Sequence, residues 1–484
     1  MNAKPTVDLS QYELVSGLEI HVQLNTRSKI FSPDSTTFGA AANSNISPVS
    51  LALPGALPKL NKEVVEKAIR IGLALNCSIN QHNFFDRKNY FYADLPKGYQ
   101  ITQDNSPICK NGFITVSLAS GQEKRIGINR IHLEEDAGKS MHDQDPSYSY
   151  VDLNRAGVPL IEIVTEPDIR SAEEASALLT EIRQLVRHLN VSDGNMEEGS
   201  LRCDANISIR KRGDTSFGTR CEVKNLNSTR NVRRAMEFEF SRQIELREQG
   251  EKIVQSTLNF DADKGTTSPM REKEEANDYR YFPDPDLPPI EISDDWLNEI
   301  KSNMPALPKA LANQLVEELN ISKVDANIIA QDIDVYAYLS HALKSVINKK
   351  SLVNWLNGSV RAFLNEKGIS INDFINPEQL AELINLVDEK KISQQNALQH
   401  LMPVLTKDSR VLELAVEMNL LIEEDTDELA QFVEQVFSKY PQQVQAYKTG
   451  KKGVLGLFVG EVMKLAKGKA DAKKVNDWII EKLK

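Results

Sequence analysis

Cysteine is sparse in this chain of 484 residues, and its four copies, Cys77, Cys109, Cys203 and Cys221, form no CxxC pair. That spacing argues against a disulfide framework and against a zinc site built from paired thiolates, so reduced thiols are expected. Long apolar runs are missing too: nothing approaches the ~20 residues needed to span a bilayer, and the opening MNAKPTVDLS has no signal core. A soluble cytoplasmic protein with no membrane association is the expectation. Excess positive charge is also lacking, since 58 Lys and Arg face 69 Asp and Glu for a net charge of -11. Such an average argues against binding nucleic acid along the whole chain. A P-loop is excluded as well: DAGKS at Asp136–Ser140 has the right ending, but Leu133 stands where the first glycine belongs. Any nucleotide must be held another way.

What is present is alternation. In YELVSGLEIHVQL, Tyr12 to Leu24, residues Glu19, His21 and Gln23 share one strand face, and Leu18, Ile20, Val22 and Leu24 share the other. Glu-x-His on a strand face is a plausible pair of metal ligands, and equally an ordinary solvated surface. The pattern recurs. Arg130, His132, Glu134 and Asp136 oppose Ile131 and Leu133, while Arg202, Asp204, Asn206, Ser208 and Arg210 oppose Leu201, Cys203, Ala205, Ile207 and Ile209. Arg220, Glu222 and Lys224 oppose Cys221 and Val223. In VPLIEIVTEP, Glu162 is a lone carboxylate within an apolar run, and a buried carboxylate needs a cation beside it, whether Arg or metal. Together these strands predict an antiparallel sheet with an apolar side on a core and a charged side lining a concave site. Carboxylates mixed with Arg and Lys suit magnesium and polyphosphate: hard oxygens hold the metal, and cations neutralise phosphate.

The connections add detail. RKNYFYADLPKGYQITQ, Arg87 to Gln103, mixes Arg87, Lys88 and Lys97 with Tyr90, Phe91, Tyr92 and Tyr99. It can bracket phosphates and stack on a base, or form a small core under a long loop. The Pro- and Asp-rich DYRYFPDPDLPP, Asp278 to Pro289, is a chain of turns expected to close the first domain. Beyond Asp295 the period becomes helical: Leu311, Leu315 and Leu319 recur every four residues, and Asn376 with Pro377 makes a helix start. Thr426 is a second candidate cap, for a helix ending before Pro441. The tail places Val454, Leu457, Phe458 and Leu465 on one stripe and Val475, Trp478 and Ile479 on another, which predicts a small bundle. From Lys448 to Lys484 there are ten Lys against four Asp and Glu, the chain's concentrated basic patch. These lysines either contact nucleic-acid phosphates or only solvate the bundle, with acidic Glu423–Glu428 cancelling their field.

LEIHVQLNTRSKIF, HLEEDAGKS, VDLNRAGVPLIEIVTEPDIRS, MEEGSLRCDANISIR and GTRCEVKNLNS, with the two loop motifs above, resemble the B subunits of aspartyl/glutamyl-tRNA amidotransferases, the GatB family, along essentially the whole chain. The resemblance implies an α+β protein: a glutamine synthetase-like antiparallel cradle over residues 1–298, a helical domain over 299–410 and a tRNA-binding helical tail over 411–484. It implies ATP- and magnesium-dependent phosphorylation of the side-chain carboxylate of mischarged Glu-tRNA(Gln) or Asp-tRNA(Asn), then amidation by ammonia. A non-catalytic tRNA-binding scaffold is the alternative. On the matching positions, Glu19, His21, Glu134 and Glu162 are the implied catalytic and magnesium-binding set, and direct ligation by His21 is the unusual member. Lys88, Tyr90, Arg202, Asp204 and Asn206 are the nucleotide and phosphate candidates, and Lys451, Lys452, Lys467 and Lys469 the tRNA contacts. Relatives with a four-cysteine zinc motif would align it on Ser32, Asp34, Ser47 and Ser50, so no structural zinc is expected. The chain has no nucleophilic cysteine in a glycine elbow and no amidase signature, so glutamine hydrolysis falls to a partner. The family implies an amidase A subunit, an ammonia tunnel and a small C subunit in a heterotrimer.

Overall fold

The computed structural model describes residues 9–142, 145, 147–272, 279–422, 426–466, 470 and 472–483. The chain divides into two compact units, residues 1–307 and 308–484.

The first unit is organised on the strand Tyr12–Gln23, whose alternation becomes an alternation of burial: Leu14, Leu18, Ile20 and Val22 are buried, while Glu19, His21 and Gln23 are partly open. This strand lies at the centre of a nine-stranded sheet among the described residues. On one side follow Leu201–Lys211, Cys221–Lys224, Ser256–Asp261 and Thr266–Glu272; on the other follow Pro159–Thr165, Glu123–Glu135, Cys109–Ser117 and Ser78–Ile79. All pairings are antiparallel except Cys221–Lys224 with Ser256–Asp261. The alternation signalled the strands and not this parallel edge. The edge arises because the helix Thr229–Glu248 carries the chain back before Ser256–Asp261 enters, as a parallel pair requires.

The apolar side is covered by the helices Lys62–Ala74, Ala172–His188 and Thr229–Glu248. Each starts at a side-chain cap: Asn61 accepts from the N–H of Glu63, Ser171 from that of Glu174, and Ser228 from that of Asn231. Ile69, Ile71, Leu178, Leu179, Ile182, Val232 and Met236 meet Ile20, Ile131, Ile163 and Ile207 in one core. Each such side chain removed from water contributes about 1.5–3 kcal/mol, which pins the register and leaves the polar face nowhere to turn but outward. A separate three-stranded sheet, Phe282–Pro283 beside Asp86–Asn89 beside Tyr99–Thr102, attaches at the end of Glu123–Glu135. There the N–H of Ile101 and the side-chain amide of Gln100 donate to Glu135, at 2.8 Å each.

The second unit is helical in its described residues, as the sequence period predicted. Asn376 and Gln379 form a reciprocal capping box with Pro377 at the first helical position. Leu311 to Leu420 contribute one core, which includes Val411 and Ala415, and residues from Val433 onward contribute another. In the tail, Phe458, Val462, Val475 and Ile479 are fully buried, whereas Leu457 and Leu465 are about two-fifths exposed. The predicted stripe thus needs correcting. Leu457 lies about 100° round the helix from Phe458, Leu465 is the last residue of Leu455–Leu465, and Val462 takes the place assigned to them.

Candidate active site

Partners in antiparallel register project to the same side, so the pairings turn alternation into rows across the cradle. His132 stands opposite Glu162, Glu162 opposite His21, and His21 opposite Arg202, a row over four strands. One step along, Glu19 stands opposite Asp204; a further step brings Gly17, Asn206 and Glu222 into line. Five of the expected residues, Glu19, His21, Glu162, Arg202 and Asp204, are therefore neighbours, and Glu134 joins from the His132 strand.

Nε2 of His21 lies 3.4 Å from Glu162 and 3.6 Å from Glu134, and Nε2 of His132 lies 3.2 Å from Glu162 and 3.7 Å from Glu134. Two imidazoles and two carboxylates thus close a ring. Burial alone would lower both histidines, but the carboxylate of Glu162 and then Glu134 outweigh it and raise each imidazole to about 9. Burial would raise Glu162, and the two imidazoles hold it well below the usual carboxylate range instead. The ring is charge-compensated, which is why it can sit under so little water.

Among the described residues, two groups of His, Asp and Glu side chains have donor atoms within 4.8 Å of one another: His21, Glu134 and Glu162, and alongside them Glu19, Asp204 and Glu222. The second consists of carboxylates only, the hard oxygens that magnesium takes; the first adds one imidazole to two carboxylates. By donor chemistry both fit a divalent cation. Protein cations stand at their rim: Nζ of Lys224 donates to Asp204 at 2.6 Å and lies 3.1 Å from Glu222. Burial would lower this ammonium, but Asp204 and then Glu222 raise it. Arg202 donates to Asp136 at 2.9 Å, and Asp136 also accepts from Gln23 at 2.8 Å. Several buried polar atoms on or beside this face have no partner among the described residues: Nε of Arg130, Nδ1 of His132, Nε of Arg202 and Oδ1 of Asn206. Buried polar atoms normally find partners, so orphans gathered in one place fit a surface built to receive a polar ligand.

Lys88 and Tyr90 belong to the smaller sheet and the turn after it. Nζ of Lys88 lies 4.7 Å from the ring centre of Tyr279 and 5.6 Å from that of Tyr90. Burial raises the Tyr90 phenol, and then the charges of Glu134, Glu135 and Asp136 do so, which brings this residue to the carboxylate end of the cradle. The loop is both of the things its composition allowed. Arg87 is locked to Asp284 and Asp286 at 2.7 Å each and stacks over Tyr99 at 4.2 Å, while Phe91 is 86% exposed. Asn89 donates to the carbonyls of Tyr279 and Arg280, so the Pro- and Asp-rich run folds back on this loop.

Sequence reasoning assigned no role to His132, Asp136, Glu222 or Lys224, although the alternation placed all four on the polar face. Only the pairing of strands distant in sequence reveals that Glu222 completes the second group and that His132, Asp136 and Lys224 stand against the residues of the site. At the positions aligned with the zinc motif, Ser32 and Ser50 donate to Asp34, and the buried ammonium of Lys29 donates to the carbonyls of Asn45 and Leu153 and to Ser50. Oγ of Ser47 is buried there with no partner among the described residues. Lys451 and Lys452 are exposed in the tail; Lys467 and Lys469 lie outside the described residues, as do Glu423, Glu424 and Asp425 of the acidic run. No helix among the described residues is long and apolar enough to cross a membrane.

Residues 14–298 match the family profile described as the GatB/GatE catalytic domain, and residues 337–483 match one described as a GatB domain. The B subunit of the aspartyl/glutamyl-tRNA(Asn/Gln) amidotransferase of Rickettsia conorii is 48% identical over 475 residues, 98% of either chain. The protein of the same name from Thermodesulfovibrio yellowstonii is 46% identical over 476 residues, 98% of this chain and 100% of the relative. That of Clostridium novyi is 45% identical over 473 residues, 98% and 99% respectively. With two family profiles and full-length relatives in agreement, the chain belongs to the GatB family, the B subunits of aspartyl/glutamyl-tRNA(Asn/Gln) amidotransferases.

Proposed function

We propose that this chain converts mischarged Glu-tRNA(Gln) and Asp-tRNA(Asn) into Gln-tRNA(Gln) and Asn-tRNA(Asn), first phosphorylating the side-chain carboxylate from ATP and then letting ammonia displace the phosphate. The reading is carried by one observation: two carboxylate-rich groups lie side by side on the polar face of the sheet, with Arg202 and Lys224 beside them. A scaffold that only held tRNA would gain nothing from so costly a concentration of charge.

A carboxylate resists ammonia because oxide would have to leave. Transfer of the terminal phosphoryl group to that oxygen, with release of ADP, turns it into a competent leaving group; ammonia then attacks the acyl carbon, phosphate departs and nitrogen sheds a proton. Magnesium, held by Glu19, Asp204 and Glu222 and by His21, Glu134 and Glu162, would neutralise phosphate oxygens. The chain's own cations do the rest. Arg202, oriented by Asp136, offers its unpartnered Nε to an anion, and Lys88 with Tyr90 faces the same end from the smaller sheet. His132 keeps Glu134 and Glu162 in place from the neighbouring position on the same face. Ammonia comes from glutamine hydrolysed by an amidase A subunit through a tunnel, with a small C subunit completing a heterotrimer. The exposed Lys451 and Lys452, with Lys467 and Lys469, contact the tRNA backbone.

ATP hydrolysis by the assembled complex, measured with and without Glu-tRNA(Gln), tests the reading. Hydrolysis that rises with charged tRNA and survives replacement of glutamine by ammonium salts is expected. Hydrolysis indifferent to charged tRNA would overturn it.

A further inference from the structure

The row through Glu19 continues across the sheet on the side away from Asp204. In register stand Lys110, Arg130, Val164, Glu19 and Asp204, on successive strands, with two cations at one end and two carboxylates at the other. We propose that Arg130 holds the side-chain carboxylate of the aminoacyl group in place for phosphorylation, and that loss of this charge on amidation releases the product. The proposal rests on the transamidation reading above and names the residue that recognises its acceptor.

A break in alternation puts Arg130 there. Ile126, Ile128, Ile131 and Leu133 all face the core, so the spacing slips by one between Ile128 and Ile131. Val164 pairs with Arg130, but the next residue, Thr165, pairs with Ile128, which leaves Asn129 as an extra residue on the strand Glu123–Glu135. Unbroken alternation from Ile126 and Ile128 would turn residue 130 into the core; the bulge turns it to the polar face, in phase with His132 and Glu134. The bulge is fastened from the side. Asn129 donates to Glu166 at 2.8 Å, the N–H of Gly127 to Asp168 at 2.9 Å, and the N–H of Glu166 to the carbonyl of Gly127 at 2.8 Å. Bulges recur beside active sites, where they re-aim a side chain.

The guanidinium placed in this way is uncommitted. Arg202 donates to Asp136 and Arg210 to Glu13, whereas no N–H of Arg130 makes a hydrogen bond among the described residues. Its Nε is buried without a partner there, and Asp104 lies 3.8 Å from Nη1, beyond hydrogen-bond reach. The side chain is 34% exposed, so its fork is reachable from the cradle. A planar guanidinium fits a carboxylate in shape as well as in charge. Position decides which anion it serves. Arg202 and Lys224 stand on the strands beyond Glu19, the side assigned above to phosphate. An acceptor carboxylate must approach a phosphoryl group that is itself an anion, and a cation on the acceptor's own side offsets their repulsion. Arg130, with Lys110 beside it, is that cation. Neighbouring strands lie about 4.8 Å apart, so Arg130 and Glu19 are roughly 10 Å apart at the backbone. Val164, uncharged and half-buried, leaves the space between them to the reacting groups.

Binding of Glu-tRNA(Gln), Gln-tRNA(Gln) and uncharged tRNA(Gln) to the assembled complex, measured without ATP, tests this in the absence of turnover. The wild type should hold Glu-tRNA(Gln) roughly tenfold tighter than Gln-tRNA(Gln), the gain of one charge-assisted contact. Arg130→Ala should bind the two alike, with its affinity for uncharged tRNA and its melting temperature unchanged, and added ethylguanidinium should restore the preference. Arg130→Met, which keeps the apolar stem, should lose the preference too. A dissolved cation cannot rescue a merely structural role, so a lost preference that ethylguanidinium leaves lost would overturn the assignment. A variant that keeps the wild-type preference, or a wild type without one, would also overturn it, while amidation by the wild type left the transamidation reading standing. A wild-type complex that forms no Gln-tRNA(Gln) from Glu-tRNA(Gln), ATP and ammonium would overturn that reading and the assignment with it.

Discussion

Single side chains on the cradle face have separable jobs. Glu134→Gln and Glu162→Gln each remove one charge from the ring with His21 and His132 and should lower amidation of Glu-tRNA(Gln) on the order of a thousandfold or more. Partner assembly and glutaminase protein should remain intact. A loss below tenfold in both variants would dismiss these residues as ligands. Asp136 acts one step removed, because it touches Arg202, Gln23 and the N–H of Ala137. Asp136→Ala strands a guanidinium that is 36% exposed, so the cost falls below that of a fully buried pair, at about 2 kcal/mol. Chemical denaturation should show that loss together with a raised KM for ATP, and an unchanged KM would mean that Arg202 faces no phosphate.

At the scale of elements, packing overrides propensity. Gly72 sits inside the helix Lys62–Ala74, where alanine is intrinsically better by about 1 kcal/mol. A Cβ there would lie 2.4 Å from Sγ of Cys109 and 3.1 Å from Ile79, and overpacking of this kind costs about 1–3 kcal/mol. Gly72→Ala should therefore lower the melting temperature, and adding Cys109→Ala should restore it. In the tail, Lys439 and then Lys464 and Tyr440 hold Glu461 at about 2 by hydrogen bonds. A carboxylate lowered on folding adds stability above its unfolded value of about 4.5 and loses it as pH falls through 2. Acid melts of the wild type should drop across that window, and Glu461→Gln should flatten the drop, though only slightly for a solvated cluster. Elements were also what the sequence showed best. Glu19 and His21 were legible as one face because alternation is local, and Asn376 with Pro377 was legible as a helix start because caps are local. His132 as the partner of Glu162, and Glu222 as a member of the group with Glu19 and Asp204, were not, since no local signal says which strand lies beside which. The parallel edge at Ser256–Asp261 escaped for the same reason, and Leu457 misled because a heptad-like run does not say which side meets a neighbour.

On the scale of the molecule, a chain with a net charge of -11 must still engage an anion. Binding of charged tRNA by the complex, measured at two salt concentrations, should weaken and lose about one unit of salt slope per residue when Lys451, Lys452, Lys467 and Lys469 become alanine. Equal affinities and slopes would leave the tail as a solvated bundle only.

The centre of the nine-stranded sheet is also the earliest of the nine strands in chain order, so it leaves the ribosome before its neighbours, and it pairs Tyr12 with Lys211 and Gln23 with Leu160. At roughly 5–20 residues per second, its apolar stripe of Leu14, Leu18, Ile20 and Val22 waits on the order of ten seconds or more for either neighbour. Contacts this distant are slow to close, so the nascent cradle is a client for chaperones and prone to aggregate in the interval. Arrested nascent chains should stay protease-sensitive until Leu201–Lys211 has emerged, and then become resistant in a single step.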